Sequence, residues 1–481
     1  MSAVVEIDDI ALPKNWVVLP IIELGKAITG NTPPTKNVEN YGGELPFIKP
    51  TELVDKGVIS GRETISEIGT KYARVLPKGG VLVSCIGYLG KTAIAKREVA
   101  FNQQINAVVF NETVLPEYGF YYFQSPKFRQ DLESLAAGTT ISIVNKSKFE
   151  SISIPVAPPE QQKRIVAKIE ELFSHIDAGI DALKKSRQLL KQYRQSVLKA
   201  AVTGELTKEW REANKAKLEP ASQLLERILK ERRQKWEEQQ LAQFKAKGKM
   251  PKDDKWKEKY KEPELPNAKN SEVIPESWAY CGIEMLLPPD KAAMKTGPFG
   301  TLLKKHEHKI EGVPVLGIEN IASMQFVPGS KIHITEKKAK ELDGYKVVEG
   351  DIVISRSGTV GEVCVVPDIG EARISTNLMK LSLMKGGLNP VFFTFLFNGS
   401  PFVLGQVAEL CKGSTRDFLN QDILKKLLLA IPSYQEQIEI IAEVEERFNK
   451  IERLDKEIDI QMLKVDKKKQ SILASSFSGE L

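Results

Sequence analysis

The sequence predicts a mixed α/β (α+β) chain made by internal duplication: two globular domains and two long antiparallel helices arranged about a pseudo-two-fold axis. Three observations predict this. A long stretch of the chain recurs without a gap at one constant offset. Short β-branched runs bounded by glycines lie upstream in both copies. A seven-residue apolar column runs through the end of each copy. Repetition at fixed offset marks a duplicated unit, glycine-bounded β-branched runs mark strands and turns, and a 3.5-residue apolar period marks a helix-pairing seam.

The recurrence joins residues 135–206 to residues 410–481 at an offset of 275. Gly138 falls on Gly413, Asn145 on Asn420, Gln162 on Gln437, Phe173 on Phe448, and Gly204-Glu205-Leu206 on Gly479-Glu480-Leu481. Upstream the match is looser. Leu12-Pro13-Lys14-Asn15-Trp16 echoes Ile274-Pro275-Glu276-Ser277-Trp278, and Gly79–Ser84 echoes Gly350–Ser355, each before a glycine-rich loop. Each unit is therefore a divergent domain, roughly 16–155 and 278–430, with a better-matched helical tail.

Within the domains, Gly80–Cys85 and Asp351–Ser355 read as strands, and Glu117–Ser134 and Pro390–Leu410 as helical pieces. In the first tail, Pro158-Pro159-Glu160 suits a helix start, with proline and a carboxylate in the first turn. The seam column there is Ile169, Ile176, Leu183, Leu190 and Val197. Shifted by the offset it becomes Val444, Ile451, Ile458, Val465 and Ile472, again all apolar. Its companion column, Ile165, Leu172, Gly179, Ser186, Tyr193 and its counterparts, is broken by polar residues, so the seam is narrow. Two separate helices, each lying on its own domain, are the plainer alternative; survival of the same column in both copies favours pairing. Two copies of one unit pair most simply about a two-fold axis, which makes the seam antiparallel.

Residues 207–270 form a connector holding 18 basic and 12 acidic residues, so the chain's whole formal excess of +6 lies there and the rest is balanced. Net charge thus gives the globular parts no general affinity for nucleic acid; any such surface must be local. Glu219–Phe244 reads as a basic helix with Leu224, Leu225, Ile228 and Trp236 on one side, and Lys245–Pro266 as a charged, flexible stretch. Trp210, Trp236 and Trp256 fall in the connector, with docking and local packing both open. The four cysteines are far apart with no CxxC pair, which argues against zinc or disulfides and for a reducing cytoplasm. The N-terminal segment does not read as a secretion signal, and no apolar run is long enough to span a bilayer.

A search for catalytic groupings returns only partial matches. Asn389-Pro390-Val391-Phe392 lacks the second proline of an amino-methyltransferase loop and reads as a helix start. Gly297-Pro298-Phe299-Gly300 is too short for a phosphate loop. His306-Glu307-His308 has no further ligands near it in sequence and reads as a surface turn, not a metal site. Glu336-Lys337-Lys338 is a triplet expected by chance in a lysine-rich chain. What remains are polar and basic loops at matching places. Ser84–Lys91 pairs with Ser355–Gly361, and Gly138-Thr139-Thr140 with Gly413-Ser414-Thr415-Arg416. Arginine can bond a guanine edge with two donors, while hydroxyls and amides reach phosphates. The candidate DNA-facing residues are Lys49, Thr51, Ser84, Tyr88, Lys91, Thr139 and Thr140 in the first domain. In the second they are Lys304, Lys305, Arg356, Ser357, Thr359, Ser414, Thr415 and Arg416, with Arg356 and Arg416 expected at the DNA surface. Ordinary strand-to-helix turns would show the same pattern, and both readings stand for each loop.

With these residues in order, the sequence resembles the specificity subunit of type I restriction–modification enzymes. The resemblance rests on the duplicated unit, the Gly-Thr/Ser-Thr loops, the turn Pro158-Pro159-Glu160-Gln161-Gln162 with its counterpart Ser433-Tyr434-Gln435-Glu436-Gln437, and the matched helix endings to Leu206 and Leu481. Thr29-Gly30-Asn31-Thr32-Pro33 followed by Leu45–Pro50 adds to it. The resemblance implies target-recognition domains at 1–157 and 271–432, helical spacers at 158–206 and 433–481, and the connector at 207–270. It also implies a non-catalytic, cytoplasmic chain of phage defence in which each domain reads half of a bipartite duplex DNA site. The helices would act as ruler and as docking surface for two methyltransferase subunits, with motor–nuclease subunits joining the complex and no membrane involved. S-adenosylmethionine, ATP and magnesium would belong to the partners alone, leaving this chain without cofactor, metal or catalytic residue. The residues alone leave two other readings: a coiled-coil scaffold that never touches DNA, and a methyltransferase or nuclease with an unrecognised site.

Overall fold

The glycine-bounded apolar runs become the inner strands of two equivalent sheets. In the first domain, Val81–Ser84 is buried along its whole length between Ile105–Phe110 and Thr92–Ile94, antiparallel to both, with Gly25–Thr29 at the edge. In the second, Ile352–Ser355 takes the same place between Leu378–Leu381 and Val363–Val365, with Met294–Thr296 at the edge. A strand covered on both faces has no side to expose, which is why both runs are apolar throughout. A mixed sheet accompanies each. Its order is Glu63–Ile65, Tyr41–Ile48, Val99–Phe101, Val75–Leu76 in one domain and Ile332–Ile334, Val313–Leu316, Ala372–Ile374, Lys346–Val347 in the other. In both, the two middle strands are parallel. A two-stranded ribbon ties the entry and exit of each domain, Val17–Pro20 with Ser153–Val156 and Ala279–Gly282 with Leu428–Ile431. The computed structural model describes residues 12–480 except 55–59, 138–140, 249, 268–271, 299–301, 357–360 and 412–418.

The two helical pieces expected in the domains are each two helices. Pro116–Tyr122 is followed by Pro126–Ser134, and Pro390–Gly399 by Pro401–Cys411, the second pair bent by 71°. A residue before proline is driven out of the α region. Ser125 and Ser400 use that extended geometry to cap the next helix, their Oγ atoms accepting from Phe128 N and Val403 N at 3.3 and 3.2 Å. Among the described residues no single helix is long and apolar enough to cross a membrane.

Three long helices dominate the rest: α1 (Pro159–Thr203), α2 (Ala221–Ala246) and α3 (Tyr434–Ser478). The chain divides into two compact units, residues 1–187 with 456–481, and residues 188–455, so α1 and α3 contribute to both. In the first unit, Asp177 pairs with Lys469 at 2.8 Å and Arg187 with Asp459. In the second, Arg447 donates to the Tyr193 hydroxyl at 3.3 Å, and the Arg194 guanidinium lies 4.1 Å over the Phe448 ring. In the first unit residue numbers rise along one helix, 177 to 187, as they fall along the other, 469 to 459, so that segment is antiparallel. All ten residues of the predicted column are buried or half-buried. The companion column is exposed at Gly179, Ser186, Tyr193, Leu454, Gln461 and Lys468, where a narrow two-helix seam leaves it in water.

Each domain is also held by the far end of the helix that follows the other domain. In the first unit Phe477 packs edge-on against Tyr118 and Tyr122 with ring centres 5.1 Å apart, and Leu473 is buried in the same core. In the second, Leu198 at the matching position is buried beside Gly399, where an added Cβ would come within 2.7 Å of the Leu198 Cβ. The Gly-Glu-Leu endings have the same logic. Gly204 and Gly479 have φ of +79° and +83°, the left-handed turn that ends a helix at glycine. A Cβ there would strike Pro275 and Pro13, the equivalent prolines of the two domains.

The connector departs from expectation in one respect. Its helix α2 buries Leu224, Leu225 and Ile228 in the core of the second domain, as its pattern implies. Lys245–Pro266, however, is no loose tether over its described residues. Asp254–Lys259 forms a 3₁₀ helix, and Trp256 is buried by stacking on Trp236 (5.9 Å, 24°) beside Phe244 and Tyr260. Aromatic area fixes a segment whose charge content alone indicates a solvated linker.

Candidate nucleic-acid interface

The first candidate surface is the hairpin loop between Val81–Ser84 and Thr92–Ile94. Its shape is set from inside. Ser84 is fully buried; its Oγ donates to the Tyr88 carbonyl and accepts from the Lys91 amide at 2.9 Å. Ser84 N–H donates to Lys91 O, and Gly90 N–H returns to Ser84 O. Gly87 and Gly90 supply the positive φ the turn needs, +78° and +79°. With Ser84 holding the loop, Tyr88 and Lys91 are left at the surface. Tyr88 is 83% exposed, and the Lys91 ammonium lies 5.7 Å over its ring.

This loop is joined to the second candidate segment of the same domain, some fifty residues on. Gly87 N–H donates to Ser142 O, Val144 N–H to Cys85 O, and Ala137 and Ile143 exchange amide bonds. Ala137 and Ser142–Val144, the described residues on either side of that segment, are thus bonded to one another and to the Tyr88 loop, while Gly138, Thr139 and Thr140 themselves lie outside the described residues. Lys49 and Thr51 lie elsewhere, just after the Tyr41–Ile48 strand of the mixed sheet, Thr51 within the 3₁₀ turn Pro50–Glu52. Thr51 is exposed, while Lys49 forms an ion pair with Glu63.

The second domain repeats the frame with different side chains. Ser355 is fully buried, its N–H donates to Glu362 O, and Gly361 N–H, at φ +88°, returns to Ser355 O. Arg356 corrects the expectation made for it. It is 8% exposed, its Nε donates to Leu419 O at 3.1 Å and Nη1 to Thr376 O at 3.2 Å, and burial lowers its pKa. A buried guanidinium must be bonded, and here it braces the roots of the 357–360 and 412–418 segments. Ser357, Thr359, Ser414, Thr415 and Arg416 lie outside the described residues. Lys304 and Lys305 are exposed on a turn before the mixed sheet. Next to them Glu307 accepts from Lys338 at 2.8 Å and from the Lys304 amide, the amide bond being the main reason its pKa is lowered.

Sequence reasoning named Thr29-Gly30 only as part of the family resemblance and missed both its place in the site and its counterpart Thr296-Gly297. Gly30 and Gly297 are equivalent close-approach glycines: their N–H groups donate to Ile105 O and Leu378 O, and an added Cβ would fall within 2.2 Å of Asn102 O and 1.8 Å of Ser375 O. Beside them the Thr29 hydroxyl bonds Asn106 Oδ1 at 2.6 Å, and Thr296 Oγ1 accepts from Gln421 Nε2 at 2.9 Å. The signal was the Thr-Gly pair, present at 29–30 and 296–297. Burial pushes the Cys85 and Cys364 thiols up to about 12, which keeps them protonated and unreactive.

The domain–helix joints explain the glutamine-rich turns. Gln162 and Gln437 are buried and make the same bonds. Each Oε1 accepts a domain amide (Leu115 N, Asn389 N) at 2.8 and 2.7 Å, and each Nε2 donates to two carbonyls (Thr113 and Ala157; Gly387 and Pro432). The residue before differs. Gln161 accepts from the Trp16 indole at 3.2 Å. Its counterpart Glu436 accepts from the Trp278 indole at 3.2 Å, from Arg211 at 2.6 Å and from the Thr207 hydroxyl at 2.9 Å. Arg211 and Thr207 come from the connector, so the Gln-to-Glu change between copies accompanies the cation that neutralises it.

Comparison with known proteins places this architecture. Residues 13–186 and 299–462, well over half of the chain, match the family described as type I restriction modification DNA specificity domain. The specificity subunit of the EcoKI enzyme of Escherichia coli K12 is 22% identical over 98% of this chain and 90% of its own length. The MjaIX specificity subunit of Methanocaldococcus jannaschii is 31% identical, over 38% of this chain and 42% of its own length. Two solved structures share the fold. One is from a study of assembly and conformational transition of the type I R-M system (TM-score 0.62, 16% identity, 98% of this chain and all of the other). The other is the HsdS subunit of Thermoanaerobacter tengcongensis (TM-score 0.54, 16% identity, 98% and 99%). A chain whose two domains each match the family, joined by the paired helices that the full-length relatives span, belongs to the type I restriction–modification DNA specificity family, the non-catalytic subunits that select the DNA target.

Proposed function

We propose that this chain reads a bipartite duplex DNA site, one half with each domain, while α1 and α3 set the gap and dock two methyltransferase subunits. Motor–nuclease subunits join through that complex, and S-adenosylmethionine, ATP and magnesium are bound by the partners. The observation that carries this reading is one main-chain frame around a buried serine, built twice, which in the first domain leaves Tyr88 and Lys91 at the surface and in the second is joined by the buried Arg356. Specificity in DNA recognition comes from side chains on base edges, presented by a frame fixed through other contacts. The exposed Tyr88 with the Lys91 ammonium over its ring favours this over a pure scaffold, and the buried, protonated cysteines weigh against a thiol-based activity. Methylome sequencing of a host with and without the gene tests it: a two-part methylated motif should disappear with the gene. A gel shift with the partner methyltransferase should show binding to that motif and none by the methyltransferase alone. Methyl transfer by the pure chain would overturn the non-catalytic reading.

A further inference from the structure

A groove of about 720 Å³ opens between the connector and the second domain. Six cations line it: Arg232, Lys259, Lys261, Lys291, Lys295 and Lys425. Only two carboxylates oppose them. Glu284 is paired with Lys425 at 3.1 Å, and Asp290 accepts from the Ala292 amide at 2.8 Å. Arg232 is spent on Leu287 O and the Tyr260 hydroxyl, and Lys295 lies over the Tyr345 ring. Lys259, Lys261 and Lys291 are exposed and have no ion-pair partner among the described residues.

The frame behind these lysines is firm. Trp256 stacks on Trp236, Tyr260 packs on Trp236 at 5.3 Å, and α2 is anchored by Leu224, Leu225 and Ile228. The groove's inner wall is Thr296 and Gln421, bonded to each other. Thr296 precedes the close-approach Gly297, and Gln421 follows the 412–418 segment that carries Ser414, Thr415 and Arg416. The cations come from four separate parts of the chain, so they form a track and not a single anion pocket. Among the described residues that line it there is no glycine-rich loop to cradle a nucleotide. Polyanion backbone is the ligand such a track fits, held by charge without base reading.

We propose that this groove grips the sugar–phosphate backbone of the duplex flanking the second half-site, an extra contact with no equivalent of α2 on the first domain among the described residues. The proposal rests on the DNA-reading role above. The experiment uses this chain assembled with its methyltransferase partner and two duplexes carrying the methylated motif. One duplex ends at the second half-site and the other continues for about one helical turn, ~10 base pairs. The native complex should bind the longer duplex more tightly. The triple variant Lys259→Ala, Lys261→Ala, Lys291→Ala should lose that gain, roughly tenfold or more, with the salt slope reduced by about 0.9 for each phosphate contact removed. Its affinity for the short duplex and its methylated motif should be unchanged. Equal binding of both duplexes by the native complex, or an unaffected variant, would overturn this inference and leave the half-site reading intact. A changed motif would overturn it in favour of base reading, and loss of methyltransferase assembly in favour of a protein interface. Failure of the native complex to bind either duplex would overturn the underlying DNA-reading role as well.

Discussion

Ser84 and Ser355 are both fully buried at the end of a central strand, and both donate their amide to a carbonyl seven residues on. The next residue is Cys85 in the first domain and Arg356 in the second. Each donates its amide to the same place in the neighbouring strand, Gln104 O and Asn377 O. The next bonds that these two residues make differ. The Cys85 carbonyl takes Val144 N–H, whereas the Arg356 side chain reaches across to Leu419 O, the counterpart of Val144. The matched caps Asn145 and Asn420, which accept from Lys148 N and Ile423 N at 2.9 Å, show the same constancy. The difference teaches where variation is tolerated. The frame is made of main-chain bonds and small or amide side chains facing inward, so outward residues can change without unfolding it.

The strongest way to break this comparison is to exchange a whole domain. The ends of residues 16–155 lie side by side on the ribbon, Val18 facing Pro155, so replacement by the equivalent domain of a relative should preserve the joint. Methylome sequencing should then show one half of the motif replaced and the other unchanged. A change in both halves would show that the domains do not read independently.

Lengthening both long helices sharpens the comparison next. Each has 45 residues, about 68 Å at 1.5 Å per residue. One heptad inserted between Leu183 and Leu190, and one between Ile451 and Ile458, keeps the apolar column and adds about 10 Å. That corresponds to about three base pairs of duplex at 3.4 Å each, with a rotation of roughly a quarter to a third of a turn that should lower activity. The surviving methylation should show the same half-sites with a longer gap. An unchanged gap would mean that the helices do not set it.

The fold was legible where a residue's role depends on period or offset. The complete column from Ile169 to Val197 and the broken one beside it are buried and exposed as a narrow seam requires. Glycines and caps that recur at the same place in both copies were legible for the same reason. Surface chemistry was not, because exposure depends on where a distant segment lands. Arg356 reads as a base-contacting arginine until Leu419 and Thr376 are seen to supply carbonyls to it. Ser84 reads as a surface hydroxyl until its loop closes over it. The stacking of Trp236 on Trp256 joins residues twenty apart through a turn whose composition resembles a linker. Composition reports the average environment of a segment, and two or three aromatic contacts override it.

The domain–helix joints give a smaller effect, measurable without DNA. Arg211→Ala leaves the Glu436 carboxylate buried without its cation, keeping only the Trp278 indole and Thr207 hydroxyl. Breaking a buried pair from one side costs about 3–5 kcal/mol. At the equivalent joint, Gln161→Ala removes a neutral, half-buried hydrogen bond to Trp16, worth about 1 kcal/mol. Denaturant unfolding should rank the two variants in that order, and Glu436→Gln combined with Arg211→Ala should recover much of the loss. Equal effects would mean that the two joints are equivalent despite their chemistry.

The smallest expected effect tests the comparison at a single pair of positions. Lys91 and Glu362 occupy the same place, the carbonyl oxygen of each accepting from the buried serine amide of its own loop. Their main-chain role is shared, so neither side chain is needed for the fold. Their charges are opposite. Lys91 is exposed beside Tyr88 and suited to a phosphate, whereas a carboxylate at Glu362 repels one. Lys91→Glu should therefore weaken binding to the motif by roughly 1–2 kcal/mol at low salt and reduce the salt slope by about 0.9, without changing which bases are methylated. Glu362→Lys should move affinity the other way, by less, and equally for motif and non-motif DNA. Thermal unfolding should leave both variants within about 0.5 kcal/mol of the parent, as surface substitutions usually are. If Lys91→Glu alters the methylated motif, Lys91 reads a base and the two loops differ in kind; if neither variant changes binding, these loops do not face the duplex.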